Sequence, residues 1–180
     1  MPQTRLLGLS GALRAGSTNT KLLHEAARLF GEADLTLADL NLPLYNGDDE
    51  DARGIPEKVQ VLADQIAEAD AILISTPEYN GAPSGVLKNA LDWVSRVKGN
   101  PWKAKPVAIM SAADGRAGGA KAQIILRTNM LPFRTRIQQG PEVMVADGSN
   151  QFDENGQLVT ESYVKLLTIL MNNLREEIAR

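Results

Sequence analysis

The sequence contains no cysteine and a single histidine, His24. The first absence excludes disulfides, thiolate zinc sites, iron–sulfur clusters and a cysteine nucleophile. The second excludes a multi-histidine metal site. His24 lies inside a helical apolar pattern, where it reads as a helix-face residue rather than a base. No apolar run approaches the about 20 residues of a membrane span. Charge of one sign is also scarce: 19 Lys and Arg against 22 Asp and Glu leave a net charge of −3, so no bulk positive field attracts nucleic acid or an anionic membrane. Met1-Pro2-Gln3-Thr4-Arg5 passes directly into a short apolar stretch, without the layout of a signal peptide. The expectation is a cytoplasmic protein. If it is an enzyme, its chemistry comes from a cofactor or from carboxylates, hydroxyls and backbone.

What is present is 180 residues, 43% hydrophobic and 23% charged, enough for one domain over 1–180 with a well-buried core. Strand-length apolar runs alternate with amphipathic stretches. Arg5 to Ser10, Asp34 to Asp39, Asp70 to Ser75, Lys105 to Ser111 and Glu142 to Asp147 read as strands, the third as apolar as a central parallel strand requires. Helical spacing runs from Thr20 to Phe30 and again after Pro56, which suits a first helical position. Ser84 is placed to cap a helix with Val86, Leu87, Ala90, Leu91 and Val94 on one stripe. Gly119 to Leu131 and Glu161 to Ile178 complete the set. Five βα repeats imply an α/β three-layer doubly wound sandwich around a five-stranded parallel sheet. Two long loops, Asn41 to Ile55 and Asp147 to Thr160, are of functional or interfacial length. The acidic run Asp48 to Asp51 in the first reads as solvated.

In such a sheet ligands sit beyond the carboxyl ends of the strands. The loop after the first strand, Ser10 to Asn19, combines small residues, hydroxyls, Arg14 and a helix start. Unpaired amides and the helix dipole favour an anion there, and Arg14 can fork two donors onto phosphate oxygens. Ser17, Thr18 and Asn19 can add hydrogen bonds, and Ser17 or Thr18 can equally serve as a plain helix cap. Two rival motifs fail on position. Gly11 and Gly16 have the spacing of a nucleotide triphosphatase loop, but Ser17 stands where its lysine belongs. No Gly-x-Gly-x-x-Gly triplet is present for a dinucleotide pyrophosphate.

The loop after the third strand, Ser75 to Ser84, is restricted by Pro77, Gly81 and Pro83. Its backbone can read the edge of a heterocycle, and Tyr79 offers an amphipathic ring. The loop after the fourth strand, Ser111 to Gly119, is glycine-rich and allows close approach. In the flavodoxin-like strand order 2-1-3-4-5, the first and third strands are neighbours whose helices lie on opposite faces. One mononucleotide can then place its phosphate on Ser10–Asn19 and its ring beside Pro77–Gly81.

Gly11-x-x-Arg14-x-x-Ser17-x-Asn19, Pro77-Glu78-Tyr79-Asn80-Gly81 and Ser84-Gly85-x-Leu87-Lys88-Asn89-Ala90-Leu91-Asp92-Trp93 together resemble the NAD(P)H-dependent FMN reductases, a family that includes quinone, chromate and azo-dye reductases. The likeness spans nearly the whole chain. It implies a flavodoxin-like fold and non-covalent FMN, with NADPH or NADH as co-substrate. It also implies a homodimer or a tetramer of two dimers. By this resemblance Arg14, Ser17 and Asn19 hold the FMN phosphate and Pro77, Glu78, Tyr79, Asn80 and Gly81 hold the isoalloxazine. The Ser111–Gly119 loop, with Ser111 and Gly115, lines the ring's other side. The family carries Gly-Ser-x-Arg where this chain has Ala12, so Ser10 or Thr18 is expected to make up for the missing hydroxyl. The implied activity is ping-pong hydride transfer from nicotinamide to a flavin, quinone, azo or metal-oxyanion acceptor. Such transfer requires no acid–base side chain, so no catalytic residue is named. A flavodoxin-type electron carrier, or a flavin-binding module without nicotinamide activity, is the alternative. Trp93 and Trp102 are assigned to the core or to a dimer interface.

Overall fold

The computed structural model describes residues 3–180. Met1 and Pro2, at the start of the run read against a signal peptide, lie outside the described residues. Five apolar runs become the sheet: β1 (Thr4–Ser10), β2 (Ala33–Leu37), β3 (Ala71–Thr76), β6 (Pro106–Ala112), and a fifth position shared by β7 (Arg136–Ile137) and β8 (Val143–Val145). All pairings within this sheet are parallel, and the order is β2-β1-β3-β6-β7, with β8 also on β6. This is the flavodoxin-like order. The fifth position departs from the expected unbroken strand: β7 pairs the start of β6 and β8 its end, with Gly140 and Pro141 between them.

The β3 residues are buried throughout, so period-two alternation there selects between two helical layers rather than between core and water. Ile72 and Ile74 belong to the core under α3 (Glu57–Glu68), α4 (Gly85–Arg96) and α5 (Ala120–Met130). Ala71 and Leu73 belong to the core under α1 (Thr18–Phe30) and α6 (Glu161–Ile178). Trp93 and Trp102 are both in the first of these cores, fully buried within the chain.

Two elements go beyond the sequence expectation. The first is α2 (Gly47–Arg53), inside the loop read as irregular. Asn46 caps it, and Asp48, Asp49 and Glu50 fill its first turn, where negative charge suits the helix dipole. Glu50 accepts from Tyr45 and Arg96, while Asn89 and Trp93 of α4 hold the preceding loop through the Pro43 carbonyl. The second is a hairpin of β4 (Glu78–Tyr79) and β5 (Ala82–Pro83) directly after β3. Its two-residue turn is Asn80-Gly81, both at positive φ (52° and 75°), as a type I′ turn demands. His24 is exposed on α1.

Candidate functional site

The carboxyl ends of β1, β3 and β6 open onto a cavity of about 490 Å³, within the size range of cofactor pockets. Each wall follows from local sequence. After β1 the Gly11 N–H donates to the Ser75 carbonyl at 2.8 Å. A Cβ at Gly11 would stand 2.9 Å from Thr76 Oγ1 and 3.0 Å from both Pro77 Cδ and Ser84 Oγ, so the chain lies flat where β3 exits. It then turns into α1. Ser17 is the N-cap: its Oγ accepts from the Thr20 N–H at 3.2 Å and its carbonyl from the Lys21 N–H at 3.0 Å. The two earlier helical N–H groups, on Thr18 and Asn19, have no intrahelical acceptor, and both residues line the cavity. Arg14 stands on the same wall, exposed, and pairs with no carboxylate among the described residues. The positive end of α1 and a guanidinium therefore converge on one end of the cavity.

The rest of the wall is built by Pro77, Glu78 and Tyr79 after β3 and by Ala112, Ala113, Asp114 and Gly115 of the β6–α5 loop, with Asp114 near enough to feel the Arg14 charge. Tyr79 is 56% exposed at the rim. The Glu78 carboxylate turns away to α5. That helix begins at Gly119, which has no side chain to cap it, and Glu78 Oε2 accepts from the Lys121 and Ala122 N–H groups at 2.9 and 3.2 Å instead. Glu78 thus joins the hairpin to α5. Its replacement by alanine is expected to cost about 1 kcal/mol, the usual worth of a helix cap, and to lower the melting temperature by roughly 2–4 °C, read by calorimetry on flavin-free protein.

Of the residues singled out from sequence, the cavity brings together Arg14, Ser17, Thr18, Asn19, Pro77, Glu78, Tyr79 and Gly115. Ser10, Asn80, Gly81 and Ser111 are not on its wall. The Ser10 hydroxyl is engaged beneath the loop by Thr20 Oγ1 at 2.8 Å and by the Ala12 backbone, whereas Thr18 stands on the cavity wall. Asn80 and Gly81 form the outer turn of the hairpin. Ser111 is buried under the β6–α5 loop, donating to the Gly118 carbonyl and accepting from Gln123.

Sequence reasoning missed Lys21 and Ser149, both on the cavity wall. Lys21 follows Thr18 by one helical turn, a spacing that places them on one face, and its Nζ stands 5.9 Å from the Phe152 ring. Ser149 comes from the second long loop and donates to Asp114 through both its N–H (2.9 Å) and its hydroxyl (2.6 Å). Those two bonds, aided by the Arg14 charge, hold the Asp114 carboxyl below the usual carboxylate range. A depressed carboxyl pKa adds stability that is complete above the unfolded value and lost as pH falls through the folded one. The latch between the two loops therefore persists into acid below the range of ordinary carboxylates. The protection of the Ser149 amide, its exchange taken against the intrinsic rate at each pH, is expected to hold from neutrality down to that point and to fall below it.

The strand order and a polar cavity at the β1/β3 switch point define a flavodoxin-like mononucleotide-binding protein. Comparison with known proteins is specific beyond that. The family described as NADPH-dependent FMN reductase matches residues 4–150, and the chain belongs to that family of oxidoreductases. It is 42% identical, over 91% of its length and 89% of the relative's, to an NAD(P)H-dependent FMN reductase of Pseudomonas aeruginosa. It is 34% identical to a quinone reductase of Escherichia coli K12, covering 98% of this chain and 96% of that one. Among solved structures, the flavoenzyme NAD(P)H:(acceptor) oxidoreductase FerB from Paracoccus denitrificans superposes with a TM-score of 0.87 at 34% identity, over 98% of this chain and 97% of that one.

Proposed function

We propose that this chain, acting as one domain over 1–180, binds FMN non-covalently in the cavity and works as an NAD(P)H-dependent reductase of quinone-like acceptors. Bound there, FMN would supply the two-electron chemistry that links a reduced nicotinamide to an acceptor in a ping-pong cycle. The observation that carries the reading is the meeting of two dissimilar sets of groups on one cavity wall. The free Thr18 and Asn19 N–H groups and Arg14, which pairs with no carboxylate among the described residues, offer donors and positive charge to a phosphate. Pro77, Tyr79, Ala113 and Gly115 offer backbone and apolar surface to a flat ring.

The residues divide the work accordingly. Arg14 and the start of α1 bind the dianion, and Thr18 adds a hydroxyl. The hairpin, fixed to α5 through Glu78, orients the ring edge. Tyr79 at the open rim leaves room for a second molecule to enter and stack, so nicotinamide and acceptor share one space in turn. No proton has to be held by a side chain for hydride transfer.

Small-molecule acceptors of the quinone, flavin, azo or metal-oxyanion kind suit that open rim. Among the described residues no helix is long and apolar enough to cross a membrane, and a cysteine-free chain suits the cytoplasm. Self-association as a dimer or a tetramer belongs to the same proposal, and light scattering after size exclusion resolves it.

The test is spectroscopic. The purified protein is expected to take up FMN and to lose its yellow colour within seconds on anaerobic addition of NADPH or NADH. Colour should return when a benzoquinone is added. Bound FMN that stays oxidised with both nucleotides, while still exchanging electrons with a protein partner, would establish the carrier instead.

A further inference from the structure

The Asn19 side chain sits at the phosphate end of the cavity, yet its polar atoms point the other way. It is buried, 2% exposed. Its Oδ1 accepts from Ser75 Oγ at 2.8 Å and from the Ala112 N–H at 3.0 Å, and its Nδ2 donates to the Ala112 carbonyl at 2.9 Å. Both lone pairs of the oxygen are thereby used, and one of the two Nδ2 hydrogens. The orientation of the amide is not arbitrary either. The Ala112 N–H must face the oxygen and the Ala112 carbonyl must face the nitrogen.

The place of this contact in the sheet gives it meaning. β3 pairs with β6 only as far as Thr76–Ser111. Beyond that, the hairpin leads the chain away from the sheet. Ala112, the next residue of β6, pairs β8 on one side and the Asn19 carboxamide in place of a neighbouring strand on the other. One amide therefore ties the first turn of α1 to the buried Ser75 hydroxyl near the end of β3 and to the root of the β6–α5 loop. The first is the phosphate end of the cavity. The last is its ring-side wall.

We propose, resting on the FMN reading above, that Asn19 is a positioning residue and not a phosphate ligand: it fixes the spacing between the two ends of the cavity. The dianion is held by the Thr18 and Asn19 backbone N–H groups and by Arg14. The side chain of Asn19 sets how far from them the Ala112–Gly115 wall stands. Loss of the side chain then loosens the ring as much as the phosphate.

FMN and riboflavin differ only by the phosphate, so a pair of titrations by flavin fluorescence quenching separates the two roles. Arg14→Ala is expected to weaken FMN and leave riboflavin unchanged. Asn19→Ala is expected to weaken both by one common factor, about tenfold for the loss of one or two net hydrogen bonds, and to shift the visible spectrum of bound FMN, which Arg14→Ala leaves in place. Ser75→Ala removes one arm of the brace without touching the cavity wall, and it should reproduce the common loss in smaller measure if Asn19→Ala does not fold. In flavin-free protein, amide exchange over Ala112–Gly115 is expected to quicken in Asn19→Ala and Ser75→Ala and to stay at the wild-type rate in Arg14→Ala. A loss confined to FMN, or an unchanged spectrum with unchanged exchange, would overturn the brace. Wild-type protein that binds neither flavin would overturn the FMN reading itself, while the exchange comparison would still decide what Asn19 does.

Discussion

Arg14→Ala is expected to lower FMN affinity roughly 10- to 150-fold, from the about 1.5–3 kcal/mol carried by hydrogen bonds to a charged group. The melting temperature of the flavin-free protein should stay where it is. The two halves of this expectation have one cause. Arg14 is exposed and makes no ion pair among the described residues, so the fold loses with it only a weak, solvent-screened attraction for the Asp114 carboxylate. Most of its worth lies in what enters the cavity. Equilibrium dialysis against FMN, beside a thermal melt without it, measures both. The affinity loss should also shrink as salt is raised, because the guanidinium is open to solvent and screened there. Equal affinity in the variant and the wild-type chain would remove the phosphate from this end of the cavity.

Gly118→Ala is expected to strike the fold itself. Gly118 has φ of +57°, and a Cβ there would lie 2.5 Å from both the carbonyl carbon and oxygen of Met144 and 2.9 Å from the Ala146 nitrogen. These are backbone atoms of β8 and its exit, and they cannot step aside as a flexible side chain does. Strain of the left-handed conformation and the overlap each cost about 1–3 kcal/mol. The sum, on the order of 2–6 kcal/mol, is a large part of an ordinary domain's stability. The melting temperature should fall by roughly 5–20 °C at about 2–4 °C per kcal/mol. Because Gly118 closes the β6–α5 loop over Ser111, flavin binding should fail before global unfolding does. A melt followed in parallel by far-ultraviolet dichroism and by FMN fluorescence shows the order of events. Coincident loss at the wild-type temperature would mean that β8 yields to the methyl group.

The long periodic segments were legible because burial decides them. α6 runs over Glu161–Ile178 as its apolar spacing predicts, and Ser84 caps α4 as expected. The parts that were not legible are those where tertiary contacts replace periodicity. α2 has no buried residue, so no apolar pattern announces it. It rests on Asn46 as a cap and on Glu50 meeting Tyr45 and Arg96. The β4–β5 hairpin is too short for alternation to show, although Asn80-Gly81 is itself the strongest short turn signal. The fifth strand reads as continuous from Glu142, yet its first part is supplied earlier in the chain by Arg136–Ile137.

The site divides in the same way. Residue type and position beyond a strand were enough to bring Arg14, Ser17, Thr18, Pro77 and Gly115 to one cavity. They were not enough to say where a side chain points. Ser10 and Ser111 carry the right group in the right loop, but a nearby hydroxyl or carbonyl has already claimed each. Ser149 is distant in sequence and enters only because Asp114 draws its loop across.

The anchoring of the hairpin through Glu78 has an evolutionary consequence. Because the stem is fastened to α5 through Glu78, the frame of the hairpin stands whatever side chain position 79 carries. On the function proposed above, a single codon there can retune which oxidants are admitted, and relatives with different appetites can diverge on a frame that stays the same.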